Sequence, residues 1–342
     1  MIAAAYLLTG LGHQWVIVFF VMSGYLVGGS VLRSVDAGRW SWRSYALARL
    51  TRLYIVLLPA LFLGGAIDWV GMHTKGTGAI YSGQSGMHSL TRDIHFTLTP
   101  SVFVENSLFL QTIAIPGMRG QPVPAFGSNG PLWSLSNELW YYVAFPLLVL
   151  LLVSRQLWRI RVICGVGLLA WGWFVGAGIV LLGVPWLMGA MISVLPRLPV
   201  DRPWVRRWAI ISAMALFCGG LLLGKVLQSL FSDLVLGLVV SLLIWVILQF
   251  AISPLSVLYV QIARRAAHSS YTLYLIHLPM LIFLKAWLQL PRALLSWDSC
   301  LISGGLLVGV LIYAQIIYQL FEKNTDRVRN WIKPYVLDRQ LA

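Results

Sequence analysis

The chain has 342 residues, of which 59% are hydrophobic and only 11% are charged, and its mean hydropathy is +0.80. A soluble globular protein is excluded, because so few polar side chains could not cover its surface. The formal net charge of +14 does not indicate a nucleic-acid partner, since Lys and Arg in a membrane chain mark the cytoplasmic loops. The composition therefore predicts an all-α, polytopic transmembrane helical bundle that binds membrane lipid and no nucleic acid.

Nine apolar stretches, one of them short, could cross the roughly 30 Å hydrocarbon core of a bilayer. They cover residues 14–32, 46–69, 131–153, 160–182, 184–197, 205–224, 232–250, 269–290 and 299–321. If the first span runs inward, every inside segment contains Lys or Arg, and these segments hold most of the 25 basic residues. This distribution predicts a single membrane domain over 1–342, with an extracytoplasmic region at 70–130 and a cytoplasmic tail at 322–342.

The stretch from Gly130 to Pro146 contains an acidic residue inside an otherwise apolar span. Glu138 would lie about 10 Å below the membrane surface, where a carboxylate costs roughly 2.5 to 3.5 kcal/mol. Such an acid is expected to face a polar cavity or a partner, so a catalytic role is the first interpretation. The alternative is that Glu138 only bonds neighbouring helices together. Trp133, Asn137 and Tyr141 are candidate substrate-binding residues.

Other polar or small positions on the spans could also contribute chemistry. Ser23 and Gly24 place small residues near mid-membrane, which favours close helix packing or a narrow slot for a slender substrate. Arg49 and Arg52 share a helix face at the cytoplasmic surface and could bind a phosphorylated cofactor, although topology alone also places arginines there. His277 could act as a base or acid, or could be satisfied by a neighbouring carbonyl group.

Motifs of water-soluble enzymes are absent from the sequence. The three cysteines show no metal or redox spacing. No phosphate-binding Gly loop and no Gly-x-Ser-x-Gly elbow is present. No metal cofactor is therefore predicted.

Three stretches, in this order, resemble the membrane acyltransferase-3 family of bacterial integral membrane proteins. They are the Phe-Phe-Val-Met-Ser-Gly-Tyr-Leu run at 19–26, the Leu-Trp-Ser-Leu-Ser-Asn-Glu-Leu-Trp-Tyr-Tyr run at 132–142, and the Ser-Tyr-Thr-Leu-Tyr-Leu-Ile-His run at 270–277. Pro279 follows the third run. The resemblance extends over essentially the whole chain.

The resemblance implies ten spans in the bacterial inner (plasma) membrane and the O-acylation of envelope glycans such as lipopolysaccharide or exopolysaccharide. Acyl-coenzyme A, most simply acetyl-CoA, would be used from the cytoplasm, and the acceptor glycan would be modified on the far side. The implied roles are coenzyme phosphate binding for Arg49 and Arg52, the border of the acyl path for Ser23 and Gly24, and the lining of a central cavity for Glu138 and His277.

The family's first helix carries an arginine and, eleven positions later, a histidine taken as the catalytic base. This chain begins after that helix, and His13 is not expected to take over the role. Either the start codon is misassigned or the protein is truncated and inactive, and the intact motifs favour the first explanation. A membrane O-acyltransferase is therefore predicted, with a transporter or flippase and a catalytically silent partner subunit as alternatives.

Overall fold

The computed structural model describes residues 10–83, 93–115, 120–152, 157–198, 202–250, 256–289 and 297–337. Over these ranges the regular structure is helical, and the only β pairing is an isolated bridge between Gln111 and Val123. Eight helices in the same ranges are long and apolar enough to cross a membrane. The prediction of an all-α polytopic membrane protein is confirmed.

The helices are numbered in chain order. Their bounds are α1 Gly12–Asp36, α2 Trp42–His73, α3 Gly78–Tyr81, α4 Pro100–Ser107, α5 Leu132–Leu152, α6 Trp158–Ile192, α7 Pro203–Leu227, α8 Leu230–Gln249, α9 Val257–Trp287, α10 Trp297–Leu320 and α11 Thr325–Leu337. Gly24–Gly28 forms a π-helical turn within α1. Serine side chains cap the starts of α2, α8 and α9, because each hydroxyl accepts a bond from a backbone N–H of the first turn.

Contacts between Cα atoms divide the chain into two compact units. The first unit comprises Met1–Trp40 and Asn137–Leu255, and the second comprises Ser41–Ser136 and Ser256–Ala342. The first unit therefore contains α1, most of α5, and α6 to α8. The second contains α2 to α4, the first turn of α5, and α9 to α11. The single domain over 1–342 stays a prediction.

In the first unit, α1 and α6 touch through their backbones. A Cβ atom added at Gly24 would lie 1.9 Å from the carbonyl oxygen of Trp186, and one added at Gly189 would lie 2.0 Å from that of Val21. Only glycine permits such an approach, as in other closely packed membrane helices. The structure therefore shows close packing at Gly24, while a role of Ser23 and Gly24 in an acyl path stays a prediction.

The helix α6 consists of two segments that run in opposite directions. Gly176, with φ 79° and ψ 165°, interrupts the helical backbone. Residues other than glycine rarely adopt this conformation. Four contacts with α5 establish the reversal: Arg161 with Leu151, Phe174 with Trp140, Ile179 with Tyr141, and Trp186 with Phe145. Before Gly176, successive residues of α6 contact earlier and earlier residues of α5. After Gly176, they contact later and later residues of α5.

This reversal corrects a predicted boundary. The two spans predicted at 160–182 and 184–197 correspond to segments 158–175 and 177–192, because the turn occurs at Gly176 and Pro185 is accommodated inside the second helical segment. The second segment is about 24 Å long at 1.5 Å per residue, which is short for a 30 Å core. The eight long helices therefore correspond to the nine predicted spans.

In the second unit, α2 packs against α9 and α11, and α9 packs against α10. The described part of the region 70–130 contains α3, α4 and a 3₁₀ turn at Ile94–Phe96. Residues 102–115 of this region are largely apolar, but the helix α4 ends at Ser107, because Phe109 and Thr112 have positive φ angles of 58° and 66°. The Asn106 side-chain amide connects α4 to the segment before α5, because it donates a hydrogen bond to the Pro124 carbonyl at 2.9 Å.

Polar side chains attach this region to the long helices of the second unit. The Asp68 carboxylate of α2 accepts bonds from the backbone N–H and the hydroxyl of Ser128, both at 2.7 Å. The Asn129 amide donates to the Leu275 carbonyl of α9 at 2.8 Å. These bonds fix the residues immediately before α5 and therefore the position at which α5 begins.

Candidate active site

Glu138 lies on α5 in the first unit, and only 4% of its surface is exposed. Its Oε1 accepts a hydrogen bond from the Ser23 hydroxyl of α1 at 2.9 Å and another from the Tyr142 hydroxyl, one turn further along α5. The Trp186 indole N–H of α6 donates to Ser23 Oγ at 3.2 Å. In this series of hydrogen bonds every donor points toward the carboxylate, so the bonds reinforce one another.

The network around Glu138 joins three helices of the first unit. Ser23, Glu138 and Trp186 come from α1, α5 and α6, so the bonds hold these helices in one arrangement. The Ser23 and Tyr142 donors are neutral hydroxyl groups, which stabilise a carboxylate without adding a charge. The helix-bonding interpretation of Glu138 is thus visible in the structure, and its catalytic role stays a prediction.

Two of the three candidate substrate-binding residues lie beside this network. Asn137 is 1% exposed, and its side-chain oxygen has no hydrogen-bond partner in the described part of the chain. Such an atom is uncommon in proteins and calls for a partner. The Tyr141 hydroxyl donates to the Ile179 carbonyl at 3.0 Å, and its ring borders an apolar cavity of about 190 Å³ together with Trp171 and Trp186.

Trp133 is not part of that cluster in the first unit. It lies on the first turn of α5, which belongs to the second unit. Its backbone N–H donates to the Gly130 carbonyl at 3.3 Å. A substrate-binding role for Trp133 therefore stays a prediction.

His277 lies on α9 in the second unit, and its tautomer follows from its neighbours. Nδ1 lies 2.8 Å from the Tyr274 carbonyl oxygen and 3.1 Å from that of Leu273. Because carbonyl oxygens only accept hydrogen bonds, Nδ1 carries the proton and Nε2 presents a lone pair. Among the described residues, Nε2 has no hydrogen-bond partner. His277 therefore contacts backbone carbonyl groups through Nδ1 and can still accept a proton at Nε2.

The two arginines predicted to bind a cofactor have different surroundings on α2. The Arg49 guanidinium lies over the Tyr45 ring, 5.5 Å from its centroid. Arg52 interacts electrostatically with Glu322, whose carboxylate also accepts bonds from the Thr272 N–H at 3.2 Å and hydroxyl at 2.5 Å. A phosphate group approaching Arg52 would therefore compete with this acid.

Several residues of the site were not identified from the sequence. Tyr142 could have been found, because it follows Glu138 by four residues and so lies on the same helix face. Trp186 could not, because it comes from a distant helix. The pair His13 and Asp233, which is not among the candidate site residues, could not have been found either: the two carboxylate oxygens of Asp233 lie 3.0 and 2.9 Å from Nε2 of His13 and connect the starts of α8 and α1.

No group of three or more His, Cys, Asp or Glu side chains in the described ranges is placed to hold a metal ion.

Helices of this number, length and apolarity place the chain in the class of polytopic integral membrane proteins. The acyltransferase-3 family model, described as an acyltransferase domain, matches residues 2–318. The chain belongs to the acyltransferase-3 family.

Comparison with curated proteins found a relative. The acyltransferase MdmB of Streptomyces mycarofaciens is 25% identical over 226 residues, which cover 65% of this chain and 48% of the relative. The match therefore spans about half the length of that protein. No solved structure matches the chain.

Proposed function

We propose that the protein is a membrane O-acyltransferase that moves an acyl group, in the simplest case acetyl, from acyl-coenzyme A to a hydroxyl group of a cell-envelope saccharide. Membership of the acyltransferase-3 family supports acyl transfer. The observation that carries the proposal is His277, because its Nδ1 is committed to backbone carbonyls and its Nε2 is available as a base. The bacterial inner membrane is the proposed location.

In the proposed reaction, the acceptor hydroxyl oxygen attacks the thioester carbonyl carbon. A C–O bond forms, the C–S bond breaks, and coenzyme A leaves as its thiolate. Nε2 of His277 takes the hydroxyl proton during the attack and returns it to the departing sulfur, so that ester and free thiol are the products. General base catalysis of this kind contributes roughly 10²- to 10⁴-fold to a rate.

The remaining candidate residues have supporting roles in this proposal. Arg49 and Arg52 bind the coenzyme phosphates, for which guanidinium groups are suited by shape and charge. Glu138 either accepts a hydrogen bond from the acceptor saccharide or keeps α1, α5 and α6 in their arrangement. The side-chain oxygen of Asn137, which has no hydrogen-bond partner among the described residues, accepts a further bond from a sugar hydroxyl.

The base is tested with His277→Asn in protein reconstituted into lipid nanodiscs with acetyl-CoA and envelope saccharide. The Asn side chain keeps an N–H donor for the carbonyl groups but lacks Nε2, so folding is retained and thiol release falls by about 10²-fold or more. His13→Asn, which also removes an imidazole, is the matched control. An unchanged rate of thiol release in His277→Asn would rule out the proposed base.

The role of Glu138 is tested separately with Glu138→Gln. The amide oxygen of Gln still accepts bonds from Ser23 and Tyr142, so the helices stay joined while the charge is lost. A tenfold or larger fall in rate at unchanged thermal stability would assign Glu138 to the chemistry, and an unchanged rate would leave it as a helix contact. A transporter, a flippase or a silent subunit would release no free thiol from acetyl-CoA.

A further inference from the structure

A groove runs between α2 and α11 in the second unit, and it has no role in the proposed reaction. Its volume is about 590 Å³, which falls within the usual range for small-molecule sites, roughly 300 to 1,000 Å³. The walls are almost wholly apolar and include Leu47, Leu50 and Leu58 of α2 and Val328, Ile332 and Val336 of α11. Leu50 and Leu58 are also exposed, so the groove opens onto the surface of a membrane-length helix.

The two faces of α11 differ in chemistry. Val328, Ile332 and Val336 recur every four residues and face the groove. Trp331 and Tyr335 recur on another face, where they are 69% and 68% exposed and their ring centroids lie 5.9 Å apart. Exposed Trp and Tyr on an amphipathic helix are typical of the interface between lipid headgroups and hydrocarbon. The groove is therefore expected to lie at headgroup depth.

A positive charge stands at the edge of the groove. Arg43 is one of its lining residues, and it makes no hydrogen bond or ion pair with any residue in the described ranges. On α11, by contrast, Arg329 is paired with Asp326 at 3.0 Å. The distribution of Lys and Arg predicts that this end of α2 faces the cytoplasm, where the anionic lipids of the inner leaflet attract basic segments.

We propose that the groove binds one acyl chain of an anionic phospholipid, with the lipid phosphate on Arg43. The apolar walls accept the chain, Arg43 supplies the charge that the phosphate requires, and the aromatic residues of α11 fix the depth. A zwitterionic lipid also carries a phosphate, but its own ammonium group offsets that charge, so it gains less from Arg43 than an anionic lipid does. This proposal does not depend on acyl transfer, so each can fail without the other.

Native mass spectrometry of the purified protein tests the site, with phosphatidylglycerol and phosphatidylcholine of identical acyl chains as probes. Phosphatidylglycerol should bind as a single saturable ligand and more tightly than phosphatidylcholine. Arg43→Gln should weaken phosphatidylglycerol binding about fivefold and phosphatidylcholine binding less than twofold, because phosphatidylcholine has no net charge. Arg327→Gln removes the same charge four residues before Trp331, on the face away from the groove, and should change binding less than twofold.

The walls are tested with Leu50→Trp, which fills the groove from α2, and with Val328→Phe, which fills it from α11. Either variant should reduce binding of both lipids at an unchanged thermal midpoint, and the second keeps the test valid if the first does not fold. Equal binding of the two lipids, equal effects of Arg43→Gln and Arg327→Gln, or full binding after the groove is filled would overturn the proposal. If a long-chain acyl-coenzyme A displaced phosphatidylglycerol at a concentration below that of the phosphatidylglycerol, the groove would be a site for the acyl donor, and the proposal would be overturned.

Discussion

Substituting Gly24 by alanine should force apart two helices that touch through their backbones. The new Cβ atom would lie 1.9 Å from the Trp186 carbonyl oxygen, and such contacts are essentially never shorter than 3.0 Å. The difference between these distances requires α1 and the segment 177–192 to separate by about 1.1 Å. The Trp186 to Ser23 bond, now 3.2 Å, would then exceed the distance of a hydrogen bond.

The expected cost of Gly24→Ala is about 1 to 3 kcal/mol from overpacking and about 1 kcal/mol from the lost hydrogen bond. Thermal unfolding in detergent, followed by tryptophan fluorescence, measures the loss. Gly178→Ala is the matched control, because its Cβ would have no neighbour within 4 Å and a helical alanine gains about 0.5 to 1 kcal/mol over glycine. If both variants unfolded at the same temperature, the backbone contact would be refuted.

Three further substitutions test other parts of the structure. Gly176→Ala should cost about 1 to 3 kcal/mol, measured by thermal unfolding, because the combination of φ 79° and ψ 165° is essentially restricted to glycine; an unchanged midpoint would argue against the reversal. Tyr142→Phe should cost about 1.5 to 3 kcal/mol in the same assay, and more than Tyr141→Phe, because only Tyr142 donates to a carboxylate. Asp68→Asn removes one of two acceptor oxygens from Ser128, so limited proteolysis near Ser128 should become faster, and equal cleavage rates would contradict the anchoring role.

The long helices could be predicted because apolar length is a local property of the sequence. The predicted span 131–153 and the observed helix Leu132–Leu152 differ by one residue at each end. The reversal in α6 could not be placed, since Gly176 is one of 31 glycines and Pro185 resembled a boundary. Local patterns do not distinguish a glycine that turns the chain from one that allows close packing.

The partners of the candidate site were less predictable than the site residues themselves. Ser23 and Glu138 were each selected from the sequence, but their hydrogen bond joins positions 115 residues apart. His13 and Asp233 are separated by 220 residues, and nothing in the pattern around either residue indicates the other. Such pairs depend on which helices become neighbours, and that is decided by packing over the whole unit.

The turn at Gly176 also bears on how deep Glu138 lies. Helix ends expose unpaired backbone N–H and C=O groups, and hydrocarbon offers them no partner, so the turn belongs where water can reach it. The Phe174 ring, just before the turn, lies 5.2 Å from the Trp140 ring between centroids, and Glu138 precedes Trp140 by about 3 Å along the axis of α5. The acid would then stand near the wetted rim of the bilayer rather than at its centre, so the cost of keeping a carboxylate there is lower than at mid-membrane.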